Sequence, residues 1–164
     1  MDTIFAPWRM EYIKSEKPDG CVFCKNSIRS DDYVVYEGKF SFVMMNRYPY
    51  ASGHLMVIPM RHIDKIEDLT IEERSEIFAF LDTCVRVLKE SMNPAGFNIG
   101  INIGKAAGAG IDEHIHVHVI PRWEGDTNFI SVVSNVRVIP EDMPSTAAKL
   151  TVLFKKYHQE DQLR

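Results

Sequence analysis

The chain has 164 residues, 45% hydrophobic and 26% charged, with a net charge of −4 at neutral pH, which suits one globular domain burying about two-thirds of its unfolded surface. The acidic balance speaks against non-specific nucleic-acid binding, which needs a basic excess, though a local site can still hold a small anion. No stretch approaches the roughly 20 apolar residues of a membrane span, and "MDTIFAPWRMEYI" lacks the basic-then-apolar pattern of a signal peptide; with three cysteines one is left over from any pairing, so a reducing, cytoplasmic setting is expected.

In chain order, "CVFCKNSIRSDD" reads as a knuckle followed by a turn. "YVVYEGKFSFVMMN" reads as two strands joined at Glu37 and Gly38. "RYPYASG" is turn-rich, and "HLMVIP" is a third strand stopped by Pro59. Thr70 and Glu73 have capping-box spacing. The helix they open carries Ile77, Leu81, Cys84, Val85 and Leu88 at helical spacing as a core face, and "NPAG" ends it at about Asn93. "FNIGINIG" is a glycine-punctuated strand, "KAAGAGIDE" a flexible loop, and "HIHVHVIPR" the next strand, with the histidine segment at 114–120. "NFISVVSNVRVIP" is predicted as a further strand, and "STAAKLTVLFKKYHQE" as a C-terminal helix at about 145–160. Strands with short connections dominate the middle, which predicts an antiparallel sheet with segregated helices, an α+β domain.

"EHIHVHVIPRW" holds three of the six histidines in five positions. In a strand, side chains alternate, so His114, His116 and His118 would share one face, spaced roughly 6.5–7 Å apart. Two neighbours at that spacing can converge on one ion; three in a straight strand cannot easily do so. A His-rich surface strand, a two-histidine metal site and a catalytic strand are the three readings. Neutral imidazole is nucleophilic near pH 7 and suits covalent phosphorus chemistry. The preceding loop, "GKAAGAG", has small residues that let backbone N–H groups approach an anion, with Lys105 beside them. Alone it reads equally as a turn. It is not a Walker A loop, since no Gly-Lys-Ser/Thr ends it and a strand follows.

"HIHVHVI" resembles the signature of the histidine triad superfamily of nucleotidyl hydrolases and transferases. "NRYPYASGHLMVIPMRH" is similar to the family's strand–loop–strand leading into Pro-x-x-His, and "GCVFC" to the zinc knuckle of many bacterial members. "APWRMEYI" and "PRWEGDTNFI" resemble the branch containing diadenosine tetraphosphate phosphorylases. The resemblance covers roughly residues 7–140. It implies a single HIT domain over residues 1–164: a five-stranded antiparallel sheet with two main helices, paired into a homodimer with a continuous sheet. It implies that His116 is the nucleophile on the α-phosphorus and that His118 contacts the phosphate and assists the leaving group. Asn46 takes the position of a ribose contact, and Asn102 that of a polar residue near the phosphates. Many members have Gln-Ser or Gln-Thr where this chain reads "AGAGIDEH". Phosphate contacts are therefore expected from backbone donors of Gly108, Ala109 and Gly110, with Lys105.

Cys21 and Cys24 have the spacing of half a tetrahedral zinc site, or of a redox pair, although no helix in a βαβ setting follows. The resemblance implies that His62 and His114 complete a structural zinc site, His114 fixing the aim of His116; His54 is a competing ligand. Cys84 reads as core and His158 as solvated. Arg122 reads as a surface charge or a polyphosphate contact. Trp8 and Trp123 read as packing residues, and Phe5 and Phe42 as core or as flanks of a purine.

The expected activity is nucleotidyl transfer from a dinucleoside polyphosphate such as diadenosine tetraphosphate, through a His116–nucleotidyl intermediate and with inorganic phosphate as acceptor. Hydrolysis of dinucleoside polyphosphates or phosphoramidates is the alternative enzyme. A non-catalytic nucleotide-binding regulator is the alternative outside enzymology. Sugar uridylyltransfer fits less well, because His118 stands where that branch has glutamine.

Overall fold

The computed structural model describes residues 20–24, 33–126 and 142–162. The segment after the knuckle, the strand expected over 128–140, Phe5, Trp8 and the "APWRMEYI" motif lie outside the described residues. Five strands form one antiparallel sheet: β1 Val34–Glu37, β2 Ser41–Met45, β3 Leu55–Pro59, β4 Gly96–Ile101 and β5 Val117–Arg122. Their order in the sheet is β1-β2-β3-β5-β4. Helix α1 runs over Ile71–Met92 between β3 and β4, and α2 over Met143–Gln162 follows β5. No described helix is long and apolar enough to cross a membrane.

Period-two patterning divides the sheet into two unlike faces. Val35, Val43, Met45, Leu55, Val57, Val117 and Val119 point to the helices and pack with Ile77, Leu81, Cys84 and Leu88 of α1 and Leu150 and Phe154 of α2. Val87 is fully buried in that core while Val85 is only half-buried, so the buried arc of α1 is displaced from the expected one. The other face carries Phe42, Met44, Met56 and Ile58, with Cys21 and Phe23 of the knuckle over them. The Thr70–Glu73 capping box forms as its spacing predicts, and Asn93 ends α1 in the left-handed conformation (φ 48°).

Two local devices hold the site's strands in place. The Glu76 carboxylate accepts from the backbone N–H groups of Lys39 and Phe40 and from the Ser41 hydroxyl, tying α1 to the β1–β2 turn. Gly38 is required there because a Cβ would fall 2.5 Å from the Phe80 ring. The C-terminal helix begins two residues earlier than expected and extends to Gln162.

The ladder of β5 starts at Val117, not at His114. Extending the β3–β5 register from Val57↔Val117 sets Pro59 opposite Ile115, and proline has no N–H to give. Ile115 bonds instead through its N–H to the Ile63 carbonyl. The carbonyl of His114 is taken by the ring of His116. The first two histidines of the triad thus sit on an extended lead-in whose backbone groups serve side chains.

Candidate functional site

His114, His116 and His118 are all buried, each under a tenth exposed. His116 and His118 are edge-to-face neighbours with ring centroids 4.8 Å apart. His114 faces away from them toward His62, 5.3 Å between centroids. Backbone groups with only one possible role fix which nitrogen of each ring carries its proton. A carbonyl can only accept. The His114 carbonyl lies 2.9 Å from Nδ1 of His116, so Nδ1 holds the proton and Nε2 keeps its lone pair. The Pro59 carbonyl lies 2.9 Å from Nε2 of His114, which leaves Nδ1 of that ring as the lone-pair donor.

His118 is oriented through His54, a contact that strand periodicity did not disclose. An N–H can only donate, and that of Tyr50 donates to Nδ1 of His54 at 3.1 Å. Neutral His54 therefore carries its proton on Nε2, which meets Nδ1 of His118 at 3.0 Å. Neutral His118 in turn carries its proton on Nε2. The pair of working atoms is then a bare nitrogen on His116 beside an N–H on His118. His54 is fully buried at the entrance to β3 and is spoken for by His118 and Tyr50, so it is not a member of the metal-ligand group. Its signal in the sequence was a histidine opening a wholly apolar strand, "HLMVIP".

Burial lowers the proton affinity of both working rings. His116 is held below its ordinary value, chiefly by burial and against the His114 carbonyl, which favours the charged form. His118 is pushed down to about 4, first by burial and then by repulsion from His116. Both are neutral at physiological pH, as a nucleophile and a neutral donor require.

Cys21, Cys24, His62 and His114 converge, with their ligand atoms within 4.8 Å of one another. Sγ of Cys21 is 3.2 Å from Nδ1 of His114, and Sγ of Cys24 is 3.3 Å from Nδ1 of His62. A tetrahedral ion with Zn–S ~2.3 Å and Zn–N ~2.0–2.1 Å sets sulfur and nitrogen roughly 3.5 Å apart, so the four side chains fit a zinc ion. The bond from His114 Nε2 to Pro59 supplies the outer support that orients a ligating histidine. The three cysteines are unbridged, so both knuckle thiols can serve as ligands. Burial first, then the neighbouring Cys24, pushes the Cys21 thiol up to about 11; binding of a cation would expel that proton.

Phe23, between the two cysteines, is buried with its ring 5.0 Å from that of His116 and 5.9 Å from that of His114. The knuckle is therefore also one wall of the histidine site, a role unexpected from spacing alone. Cys84 is wholly buried in the helix-side core, as predicted. His158 is not simply solvated, since its ring packs at 4.9 Å on Tyr36.

The remaining expected residues are placed unevenly. Asn46 follows β2, bonds through its N–H to the His54 carbonyl and accepts the Tyr48 N–H on its Oδ1 at 2.9 Å. Asn102 follows β4 directly, just before the chain turns at Gly104 (φ 78°). The loop is not shapeless: Lys105–Ala107 make a 3-10 turn. The amides of Gly108 and Ala109 donate back to the Lys105 and Gly104 carbonyls. In this conformation both amides close the turn. Lys105 is exposed and pairs with Asp112 at 3.8 Å. Arg122 is held by Asp126 and Asn98 rather than standing as an isolated surface charge.

A family model described as the HIT domain matches residues 28–125. An AP-4-A phosphorylase of Mycobacterium tuberculosis is 39% identical over 157 residues, covering 89% of this chain and 80% of its own length. A bis(5'-adenosyl)-triphosphatase of Dictyostelium discoideum is 33% identical over 129 residues, covering 75% of this chain and 86% of that protein. Among solved structures, a Zn-bound histidine triad family protein of Mycobacterium smegmatis matches with a TM-score of 0.69 at 28% identity, covering 85% of this chain and 96% of that one.

Proposed function

The chain belongs to the HIT family, and from that premise we propose that it is a nucleotidyltransferase that cleaves dinucleoside polyphosphates by way of a nucleotide carried on His116. The observation that supports this most directly is the pair of fixed tautomers. Nε2 of His116 attacks the α-phosphorus, and the P–O bond to the departing polyphosphate breaks with its electron pair going to oxygen. The ring becomes cationic because Nδ1 keeps its proton, and the His114 carbonyl at 2.9 Å stabilises that charge. Nε2–H of His118 donates to the departing oxygen. Phe23, Met44, Met56 and Ile58 are buried behind the histidines and back the site with apolar packing, and Asn46 is the side chain we assign to the ribose. Asn102 and Lys105 are the side chains we assign to the phosphates. Cys21, Cys24, His62 and His114 would hold a zinc ion that would stiffen the lead-in, and the proposed bond breaking is not routed through it.

For the acceptor we favour inorganic phosphate, giving ADP and ATP from diadenosine tetraphosphate. The support is the near full-length similarity to an AP-4-A phosphorylase, which exceeds that to the triphosphatase. Chromatography of products across a phosphate titration tests this. Turnover that ignores phosphate and yields only AMP and ATP makes the chain a hydrolase. His116→Ala should abolish turnover and the trapped nucleotidyl-enzyme while nucleotide binding survives; wild-type turnover in that variant removes His116 as the nucleophile. A homodimer is part of the proposal. Strand β4 is a sheet edge with Ile99 and Ile103 about half exposed, a ready surface for a second copy, and light scattering in solution tests it.

A further inference from the structure

On the side of the sheet that carries His118, β4 presents Asn98 and Gly100, since Phe97 and Ile101 turn to the helix-side core. Gly100 is the register partner of His118, and Asn98 that of Ile120. Neither backbone nor packing explains glycine at position 100. Its φ is not in the left-handed region, and a Cβ there would meet no heavy atom within 4 Å. Gly53 is the contrast: its φ is 73° and a Cβ would lie 2.6 Å from the Met92 sulfur. A glycine inside a strand costs about 0.5–1 kcal/mol relative to alanine and marks places where a ligand approaches the backbone closely. The open ground at Gly100 adjoins His118, its register partner.

Asn98 lies two residues further along the same face, about 7 Å away at strand rise. Its carboxamide is oriented. NH1 of Arg122 donates to Oδ1 of Asn98 at 2.9 Å, while Nε and NH2 of the same guanidinium grip the Asp126 carboxylate. A guanidinium only donates, so Oδ1 is the atom it holds and the Nδ2 hydrogens of Asn98 are turned the other way. Because Asp126 matches the charge of Arg122, what this corner offers an anion is the Asn98 amide.

We propose that Gly100 and Asn98 form the subsite for the departing polyphosphate chain, with Arg122 a positioning residue that acts through Asn98. Gly100 leaves room for the first departing phosphates against β4 beside His118, and the Asn98 amide donates to an oxygen further along. The site thereby distinguishes substrates by the length of what leaves. This deepens the dinucleoside polyphosphate reading and rests on it.

The experiment compares kcat/KM for diadenosine tetraphosphate with kcat/KM for adenosine 5′-phosphorofluoridate, whose leaving group is a single fluoride. Gly100→Val should lower the ratio of the two at least tenfold without lowering the melting temperature, since a Cβ there meets no heavy atom within 4 Å and valine favours strands. Asn98→Asp keeps the acceptor for Arg122 but replaces the donor by an anion, and should lower the same ratio through KM for the tetraphosphate. Arg122→Ala should lower it less, and not at all in an Asn98→Ala background. A folded Gly100→Val or Asn98→Asp protein with the wild-type ratio overturns the subsite while leaving the nucleotidyl-transfer reading intact. A wild-type protein that consumes neither compound overturns both.

Discussion

Stability of the fold should fall with acid through His118 in a calculable way. Its folded-state proton affinity corresponds to about 4, against an ordinary 6.5. Above 6.5 neither the folded nor the unfolded chain binds the proton, and the full stability is present. Between 6.5 and about 4 the unfolded chain takes up a proton that the folded one refuses, so stability is lost as pH falls. At about 1.36 kcal/mol per pH unit, the loss is about 2 kcal/mol by pH 5 and about 3 kcal/mol once the folded form also titrates. His116 adds to it in the same direction. His118→Gln removes the titration while retaining an acceptor for His54. Urea unfolding of both proteins at pH 7.5 and pH 5, each with its metal chelated, isolates the term. The stability of the wild type relative to the variant should drop by about 2 kcal/mol between the two conditions. A difference independent of pH means that His118 titrates normally in the folded chain, and the dry, tautomer-locked site described above is wrong.

Two further outcomes follow from the same geometry. His54→Phe keeps a buried ring but strips the donor from Nδ1 of His118 and the acceptor from the Tyr50 N–H. One neutral hydrogen bond at about 1 kcal/mol implies kcat down roughly fivefold to tenfold with KM little changed, and His54→Gln should recover part of it; full activity in His54→Phe removes the relay. Purified without chelator, the protein should hold one zinc per chain by elemental analysis, and chelation should lower its melting temperature, whereas a metal-free protein with a Cys21–Cys24 disulfide contradicts the four-ligand assignment.

The strands, the capped helix and the converging knuckle were legible because each rests on a local rule: alternation, capping spacing, or the reach of paired thiolates. The triad's identity, and the choice of His62 and His114 as the knuckle's partners, rested instead on the family resemblance, because the local pattern left a surface strand, a metal site and a catalytic strand all open. What a linear reading missed is contact between residues far apart in sequence. His54 lies 64 positions from His118, and nothing in "HLMVIP" says which imidazole will meet it. Phe23 reads as a spacer between ligands until the knuckle folds over His116. The loop at 104–110 is ambiguous in the sequence for a different reason. Its small residues are equally compatible with amides that face an anion and amides that close a turn, and only backbone dihedrals separate the two.

The start of β5 shows why strict strand logic failed where the chemistry begins. Alternation predicts three equivalent histidines on one face. The ladder instead starts at Val117: Pro59 has no N–H to give the Ile115 carbonyl, the Ile115 N–H goes to Ile63, and the carbonyls of Pro59 and His114 are spent on imidazoles. Each of those bonds converts an ordinary histidine into one with a single defined proton position. A regular strand would have consumed the same carbonyls in pairing and left the rings free to choose their tautomers. The break in the ladder therefore sets His114 and His116 apart, the one with its bare Nδ1 toward Cys21 and the other with a bare Nε2, while His118, inside the ladder, takes its proton position from His54.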